Sequence, residues 1–310
     1  MNLKLFLFFT LLFTNFCFAE SKKEVLIIHG KSTHGAGQHR NKEVAYMIKD
    51  KIDKSKYSSQ INVTISFRFP EDKSIVEKTD LIILSSDGGT GHALNGTDPE
   101  KNMKEIDQVL KKNKAGMIVI HWATDCPGTK RFKLCKASIA NNILMHRWIG
   151  AYYYWGSQKS WTEKFPIKNL KVNKSHPVSN GLPEEFQLQD EYYWNFFTTG
   201  EDKRNYPEKN VVFIHETMAG NKNGAKELRL QSPYWIKTRD DGGRSVGMTS
   251  AHMYHTWANK HFFQTFVNSM FWTLNMNIPE NGVEISTPTL EELKLHGSGA
   301  TIFKDAKFFE

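Results

Sequence analysis

Short apolar runs alternate with amphipathic stretches along the first half of the chain. The runs lie at residues 24–28, 61–67, 81–84 and 117–120. Between them, apolar side chains recur at helical spacing, first at Val44, Met47, Ile48 and Ile52 and then at Met103, Ile106 and Leu110. Strands that alternate with helices predict an α/β fold, a doubly wound and mostly parallel sheet with helices on both faces.

The second half of the chain contains fewer regular elements and more aromatic residues. Apolar runs at 211–216 and 246–250 predict two late strands, and residues 262–274 predict an amphipathic closing helix. Aromatic residues concentrate at 152–165 and 192–194. Such rings suit a sugar site, although packing in the core or at an edge explains them equally simply.

Composition and the N-terminus define the expected domain. The chain has 310 residues, of which 39% are hydrophobic, enough for one sizeable core. Residues 1–19 have the positive start, apolar centre and small-residue end of a secretory signal peptide, so we expect export to the periplasm or the medium. The remainder divides into an α/β domain over 20–283 and a peripheral tail over 284–310. No later run is long enough to span a membrane.

The charge distribution and the cysteines add few constraints on the function. The formal charge of +8 comes from lysines spread along the chain, so no clustered patch predicts nucleic-acid binding. Cys126 and Cys135 either bridge a short loop in an oxidising compartment or remain free thiols. The sequence leaves the oligomeric state open, with assembly of identical chains as one option.

Several histidines follow directly after a predicted strand. His29, His92, His121 and His252 occupy such positions, and Asp87 ends the third strand. Because the carboxyl ends of parallel strands meet at one edge, we expect a shared site there. His121, His252 and Asp87 are the predicted catalytic groups. The alternatives are a structural role for any single histidine and a turn role for Asp87.

The same edge offers candidate metal and substrate ligands. Zinc is the candidate metal, with four candidate ligands: His29, His121, His252 and His255. The chain lacks the His-Glu-x-x-His zinc motif. The predicted substrate-binding residues are His29, His92, Glu191, Trp122 and Tyr192. The glycine-rich loop at 85–91 lacks a nucleotide-binding ending, so Gly88, Gly89 and Gly91 are expected to allow close approach of the backbone to a ligand.

The order of these motifs resembles the ThuA-like (trehalose utilisation) family over about 24–283. The motifs are Val-Leu-Ile-Ile-His-Gly (25–30), Ser-Asp-Gly-Gly-x-Gly-His (86–92), Val-Ile-His-Trp-Ala (119–123), Trp-Ile-Gly-Ala-Tyr (148–152), Ser-His-Pro-Val (175–178), Asp-Glu-Tyr-Tyr (190–193) and Gly-Met-Thr-Ser-Ala-His-Met-Tyr-His (247–255). The resemblance implies a flavodoxin-like three-layer sandwich similar to class I glutamine amidotransferases. His121 then stands where those enzymes carry a nucleophilic cysteine, so glutaminase chemistry is not expected.

The resemblance also implies a role in carbohydrate catabolism, on glycosides or their oxidised keto forms. Hydrolysis, hydration or elimination by histidine acid/base chemistry, with or without a metal, is the expected reaction. Two alternatives remain: a zinc-dependent hydrolase of a different small substrate, and a carbohydrate-binding module without catalytic activity.

Overall fold

The computed structural model describes residues 21–125, 127, 144–153, 160–196, 210–220 and 230–296. The predicted signal peptide and both Cys126 and Cys135 lie outside the described residues. The strands are β1 (Lys23–His29), β2 (Ile61–Phe67), β3 (Leu81–Ser85), β4 (Gly116–Ile120), β5 (Trp161–Glu163), β6 (Ile167–Val172), β7 (Glu185–Gln189), β8 (Tyr192–Trp194), β9 (Val211–Met218), β10 (Leu230–Thr238) and β11 (Arg244–Met248).

The described helices fall between and after these strands. They are α1 (Asn41–Asp53), α2 (Lys73–Glu77), α3 (Pro99–Asn113), α4 (Leu144–Ile149), α5 (Lys260–Thr273) and α6 (Leu290–His296), with short 3-10 turns at His121–Thr124, Pro177–Ser179 and Tyr254–Ala258. Asp98 caps α3 by accepting a hydrogen bond from the Lys101 backbone, and Pro99 occupies the first turn, as the sequence predicts.

A mixed sheet unites most of the described strands in the order β2-β1-β3-β4-β11-β10-β9-β6-β7. The first five run parallel, and β10, β9, β6 and β7 continue the sheet in antiparallel fashion. The α/β prediction is therefore confirmed, with an antiparallel extension that the sequence pattern did not indicate. Pro233 explains part of that omission, because it lies inside β10 where the pairing with β9 is irregular.

The sheet separates two apolar layers. Alternate residues of β4 point to opposite faces, with Ile118 and Ile120 in one core and Met117 and Val119 in the other. The first core contains apolar side chains of α1 and α5, and the second contains those of α3 and α4. Helices therefore cover both faces, as predicted.

Residues beyond 283 contribute to this core as far as the structure describes them. Ile285 and Leu293 are buried in the first apolar layer. The Lys51 ammonium of α1 lies 2.7 Å from the Glu292 carboxylate of α6. Residues 284–296, which were assigned to a peripheral tail, are therefore packed against the domain. Within the described ranges, no helix has the length and apolar character needed to cross a bilayer.

The fold predicts a specific pH dependence of stability at His215 of β9. Burial, followed by the charge of His261, lowers the pKa of His215 to about 3. Its Nε2 lies 3.1 Å from the Thr265 hydroxyl of α5. The unfolded chain binds a proton near pH 6.5, so this stabilisation is complete above that pH and is lost as the pH falls towards 3.

We expect His215→Gln to flatten the pH profile of stability. Between pH 7 and pH 5 the unfolding free energy of the unsubstituted protein should fall by about 2 kcal/mol more than that of the variant. Urea denaturation followed by tryptophan fluorescence measures both slopes. Equal slopes in the two proteins would contradict the assignment.

Candidate active site at the carboxyl ends of the parallel strands

His121 begins the site at the carboxyl end of β4. Its backbone has a φ of 52°, in the left-handed region that residues other than glycine rarely adopt. The chain turns there into the 3-10 segment 121–124. The imidazole Nδ1–H donates a hydrogen bond to the carbonyl of Thr249, which follows β11. A carbonyl can only accept, so the neutral ring carries its free lone pair on Nε2.

His39 approaches from the loop between β1 and α1. Its Nδ1 lies 2.5 Å from Asp87 Oδ1, so the ionised carboxylate accepts the ring proton. Asp87 also accepts hydrogen bonds from the Thr33 backbone and hydroxyl and from the Asn41 amide. These four donors occupy both oxygens of Asp87 and leave the His39 lone pair on Nε2.

Asp190 holds the loop that carries His252. Its carboxylate accepts hydrogen bonds from the backbone of Ala251, at 2.6 Å, and of Met253, at 3.2 Å. Those two residues flank His252, so the carboxylate fixes the loop on both sides of the imidazole. Ala251 has a φ of 81°, a second left-handed position in the site.

Glu191 follows Asp190 and points the opposite way, into the site. Its Oε2 lies 3.0 Å from His252 Nδ1 and 3.6 Å from His121 Nε2. The sequence offered adjacent carboxylates that point to opposite faces. In the structure, Asp190 accepts hydrogen bonds from the backbone around His252, and Glu191 contacts His252 and His121.

Four side chains therefore converge, and we call them the histidine–glutamate centre: His39, His121, Glu191 and His252. All four are buried, and their facing nitrogen and oxygen atoms lie within 4.8 Å of one another. His39 Nε2 lies 2.8 Å from His252 Nδ1 and 3.1 Å from His121 Nε2. His121 Nε2 and His252 Nδ1 are 3.2 Å apart.

The charges of the centre follow from its burial. Burial lowers the pKa of His39 to about 3, more than its hydrogen bond to Asp87 raises it, and burial also lowers the pKa of His252. Burial opposes ionisation of Asp87 and Glu191, yet hydrogen bonds from neighbouring histidines hold the pKa of both carboxyl groups well below the usual range. At neutral pH the centre therefore combines the neutral imidazoles of His39 and His252 with the ionised carboxylate of Glu191.

Tyr193 completes the inner wall. Its hydroxyl lies 2.9 Å from His121 Nε2, and its ring stacks on His121 with centroids 4.5 Å apart. Burial raises the pKa of this phenol well above its ordinary value, so the hydroxyl keeps its proton and donates it to His121. Tyr192, the predicted substrate ligand, instead donates to the Leu188 carbonyl within the core.

Three rings form the outer side of the centre, which we call the aromatic opening: His34, Trp122 and Phe165. His34 stacks on His39 at 3.7 Å, Phe165 contacts His252 at 5.3 Å, and Trp122 contacts His39 at 5.7 Å between ring centroids. The His34 side chain is 34% exposed and Phe165 is 37% exposed, so these rings separate the centre from solvent.

Gly88 allows the indole of Trp122 to take this place. A Cβ at Gly88 would lie 2.6 Å from the Trp122 indole nitrogen. The glycine loop was expected to allow approach to a ligand. At Gly88 it allows approach of a side chain of the same chain.

The remaining predicted residues lie apart from the centre. His29 lines a separate open cavity of about 540 Å³ with Arg40 and Phe67. His92 donates from Nε2 to the Ala123 carbonyl and accepts from the Leu94 backbone, so both ring nitrogens are occupied. Neither His29 nor His255 belongs to a described group of side chains able to share a metal ion. The group of four that contains His121 and His252 also contains His39 and Glu191, which were not among the predicted metal ligands.

One known protein family matches most of the chain. The family model described as ThuA, trehalose utilisation, matches residues 24–273. The chain belongs to the ThuA family. Comparison with curated proteins found no match.

Solved structures support the fold of this ThuA-family chain. A ThuA-like protein from Bacteroides uniformis aligns with a TM-score of 0.55 at 15% identity, covering 83% of this chain and 93% of that one. The glutaminase domain of Trypanosoma brucei CTPS aligns with a TM-score of 0.43 at 8% identity, covering 85% of this chain and 98% of that one. The first of these shows a shared fold.

We expect Asp87→Ala to lower the unfolding free energy by about 3 kcal/mol or more, because four donors, two of them on the buried residues His39 and Asn41, lose their acceptor. Asp80→Ala is the matched control. Asp80 also accepts a backbone hydrogen bond, from Glu24, but its side chain is 41% exposed, so its loss should cost about 1 kcal/mol or less. Urea denaturation at pH 7 measures both, and equal losses would contradict the role of Asp87.

Proposed function

We propose that this ThuA-family protein is an enzyme of carbohydrate catabolism that acts on glycosides or their keto forms at the histidine–glutamate centre. The family supports a role related to trehalose utilisation. The reaction class is hydrolysis, hydration or elimination. Glutaminase activity is not expected, since His121 stands at the turn after β4 where acyl transfer would need a thiol.

The observation that carries the proposal is a set of unprotonated groups buried beneath the aromatic opening. His39 and His121 turn their protons outward, to Asp87 and Thr249, and their lone pairs inward. A module that only binds sugar needs hydrogen bonds and ring stacking. Burial of an ionised carboxylate against neutral imidazoles is costly, and such arrangements concentrate where proton transfer or electrophilic assistance is required.

Elimination from a keto-glycoside shows what these groups can do. A keto group acidifies the neighbouring C–H, and the centre accepts that proton. The C–H electron pair forms a carbon–carbon double bond as the bond to the leaving sugar oxygen breaks. That oxygen takes up a proton, for which the Tyr193 hydroxyl is the nearest buried donor to His121. Addition of water to the product completes a net hydrolysis.

The aromatic opening suits such a substrate. Trp122 and Phe165 offer apolar faces to the C–H faces of a sugar ring, and His34 offers a polar edge beside them. Export, predicted from residues 1–19, would place this activity where extracellular glycosides are first encountered.

We expect His121→Ala and His252→Ala each to lower turnover about 100-fold or more, because each removes a group of the centre. The assay incubates the protein with trehalose, other glycosides and their keto forms, and follows released sugar and the absorbance of an enone product. The control is His176→Asn, which removes an imidazole elsewhere while Asn can still cap the 177–179 turn that His176 caps.

Unchanged turnover in both alanine variants would contradict the proposal. Sugar binding by calorimetry with no product after long incubation would favour a carbohydrate-binding module, and turnover confined to non-sugar substrates would also contradict it.

The two adjacent tyrosines give a matched pair. Tyr193→Phe removes the hydroxyl beside His121, so we expect turnover to fall about 10-fold to 100-fold with little change in stability. Tyr192→Phe removes a hydrogen bond to the Leu188 carbonyl, so it should lower the unfolding free energy by about 1 kcal/mol and leave turnover unchanged. The reverse pattern would contradict the assignment of roles.

A further inference from the structure

We infer that the histidine–glutamate centre binds one divalent transition-metal ion through His39 Nε2, His121 Nε2, His252 Nδ1 and Glu191 Oε2. The purpose of the metal rests on the proposed function, whereas the binding itself rests on geometry. This ligand set differs from the one expected from the sequence, since His39 and Glu191 replace His29 and His255.

The imidazoles of the centre have few protons to share with one another. The ring protons of His39 and His121 are committed to Asp87 and to the Thr249 carbonyl. Their Nε2 atoms nevertheless lie 3.1 Å apart, within hydrogen-bond distance of each other. Two unprotonated ring nitrogens at this distance, each with its lone pair directed inward, repel each other unless a cation or a proton lies between them.

Within the described residues, two donors can reach these acceptors. The Tyr193 hydroxyl can donate to His121 Nε2, and His252 Nδ1, if protonated, can donate to one further atom. His39 Nε2 and Glu191 Oε2 lie 2.8 and 3.0 Å from that nitrogen and would compete for its single proton. With one proton on each ring, one acceptor remains without a donor among the described residues, whereas one dication satisfies all four atoms.

The surrounding contacts are those that orient metal ligands. Histidine ligands commonly donate their second ring N–H to a carboxylate or a backbone carbonyl, which fixes the tautomer and the ring direction. Asp87 does this for His39, and the Thr249 carbonyl does it for His121. Asp190 holds the backbone on both sides of His252. His39 and His121 are therefore positioned through their rings, whereas His252 is positioned through the neighbouring backbone and its Nε2 has no hydrogen-bond partner among the described residues.

The spacing and chemistry of the ligand atoms suit a transition metal. Five of the six separations between the ligand atoms lie at 2.8–3.6 Å, close to the spacing of about 3.3 Å between ligands of a tetrahedral ion with metal–nitrogen bonds of about 2.05 Å. Imidazole nitrogens favour zinc, copper, iron or nickel, whereas calcium, magnesium and manganese favour oxygen ligands.

A second group of potential ligands is the less suitable one. His34, His39 and Asp87 also lie close together. The oxygens of Asp87 already accept hydrogen bonds from Thr33 and Asn41 as well as from His39. A metal there would break those bonds, so we assign Asp87 as a positioning residue for His39.

A metal at this position lies directly behind the aromatic opening. Its chemistry would be to polarise a substrate carbonyl oxygen or to activate water, the electrophilic assistance that a keto-glycoside reaction requires.

The first experiment measures metal binding by the full, untagged chain. Protein stripped with a chelator is titrated with Zn²⁺ and bound metal is counted by elemental analysis after dialysis. Co²⁺ is then added in parallel, because its visible absorption reports nitrogen and oxygen coordination. We expect one metal per chain, a Co²⁺ spectrum of four- to five-coordinate type and a Tm that rises with metal concentration. No stoichiometric uptake, or a six-coordinate oxygen-type spectrum, would overturn the inference.

Matched variants locate the site. We expect His39→Gln, His252→Gln and Glu191→Gln each to weaken Zn²⁺ binding about 100-fold or more, and Asp87→Asn to weaken it about 10-fold. His34→Gln, His29→Gln and His255→Gln should bind within about threefold of the unsubstituted protein. Circular dichroism verifies that each variant is folded. Retained binding in His39→Gln together with loss in His34→Gln or His255→Gln would overturn the ligand assignment.

The experiments test metal binding and the proposed function separately. Stoichiometric metal without turnover of any glycoside supports the site and contradicts the proposed function. Full turnover in the chelator-stripped protein, together with no stoichiometric metal uptake, supports the function and overturns the metal inference, since an additional shared proton would then relieve the lone-pair contact.

Discussion

The outward direction of the ring protons at His39 and His121 is the constraint on which the site depends. Asp87 and the Thr249 carbonyl each accept one of these protons, so both rings present bare nitrogens to the same point. Either acceptor, if lost, would free a ring to turn and bury an unsatisfied N–H. The three donors that Thr33 and Asn41 direct at Asp87 therefore affect the centre without belonging to it.

The backbone supports this arrangement at a local cost. His39, His121 and Ala251 all have positive φ, at 46°, 52° and 81°. Left-handed conformations of this kind cost roughly 1–3 kcal/mol each for residues other than glycine and persist only where the surroundings dictate them. At His121 and Ala251 the dictating elements are β4, β11 and the Asp190 carboxylate, and at His39 the backbone N–H donates a hydrogen bond to the His252 carbonyl. The two apolar layers of the sheet supply the stability that offsets the strain.

The sequence predicted the parallel half of the fold because its strands are short, apolar and separated by amphipathic helices. It also placed His121, His252 and Asp87 together, since each follows a strand whose carboxyl end reaches one edge. His39 was not among the predicted site residues because it lies ten residues beyond β1, in a loop whose path no periodicity specifies. The spacing His34-Gly35-Ala36-Gly37-Gln38-His39 was its only signal.

The second half of the chain was harder to predict for physical reasons. Adjacent residues of β8 point to opposite faces, so sequence alone could not decide between Tyr192 and Tyr193 for the site. The same ambiguity applied to Asp190 and Glu191. Pro233 within β10 argued against a strand that the sheet accommodates at an irregular position. Register and bulges are set by tertiary pairing, which a pattern of apolar residues does not encode.

Diffraction from crystals of the zinc-loaded protein, recorded on both sides of the zinc absorption edge, locates the ion. We predict one strong anomalous peak, at about 2.0–2.2 Å from His39 Nε2, His121 Nε2, His252 Nδ1 and Glu191 Oε2. A peak elsewhere, or none in the presence of excess zinc, would contradict it.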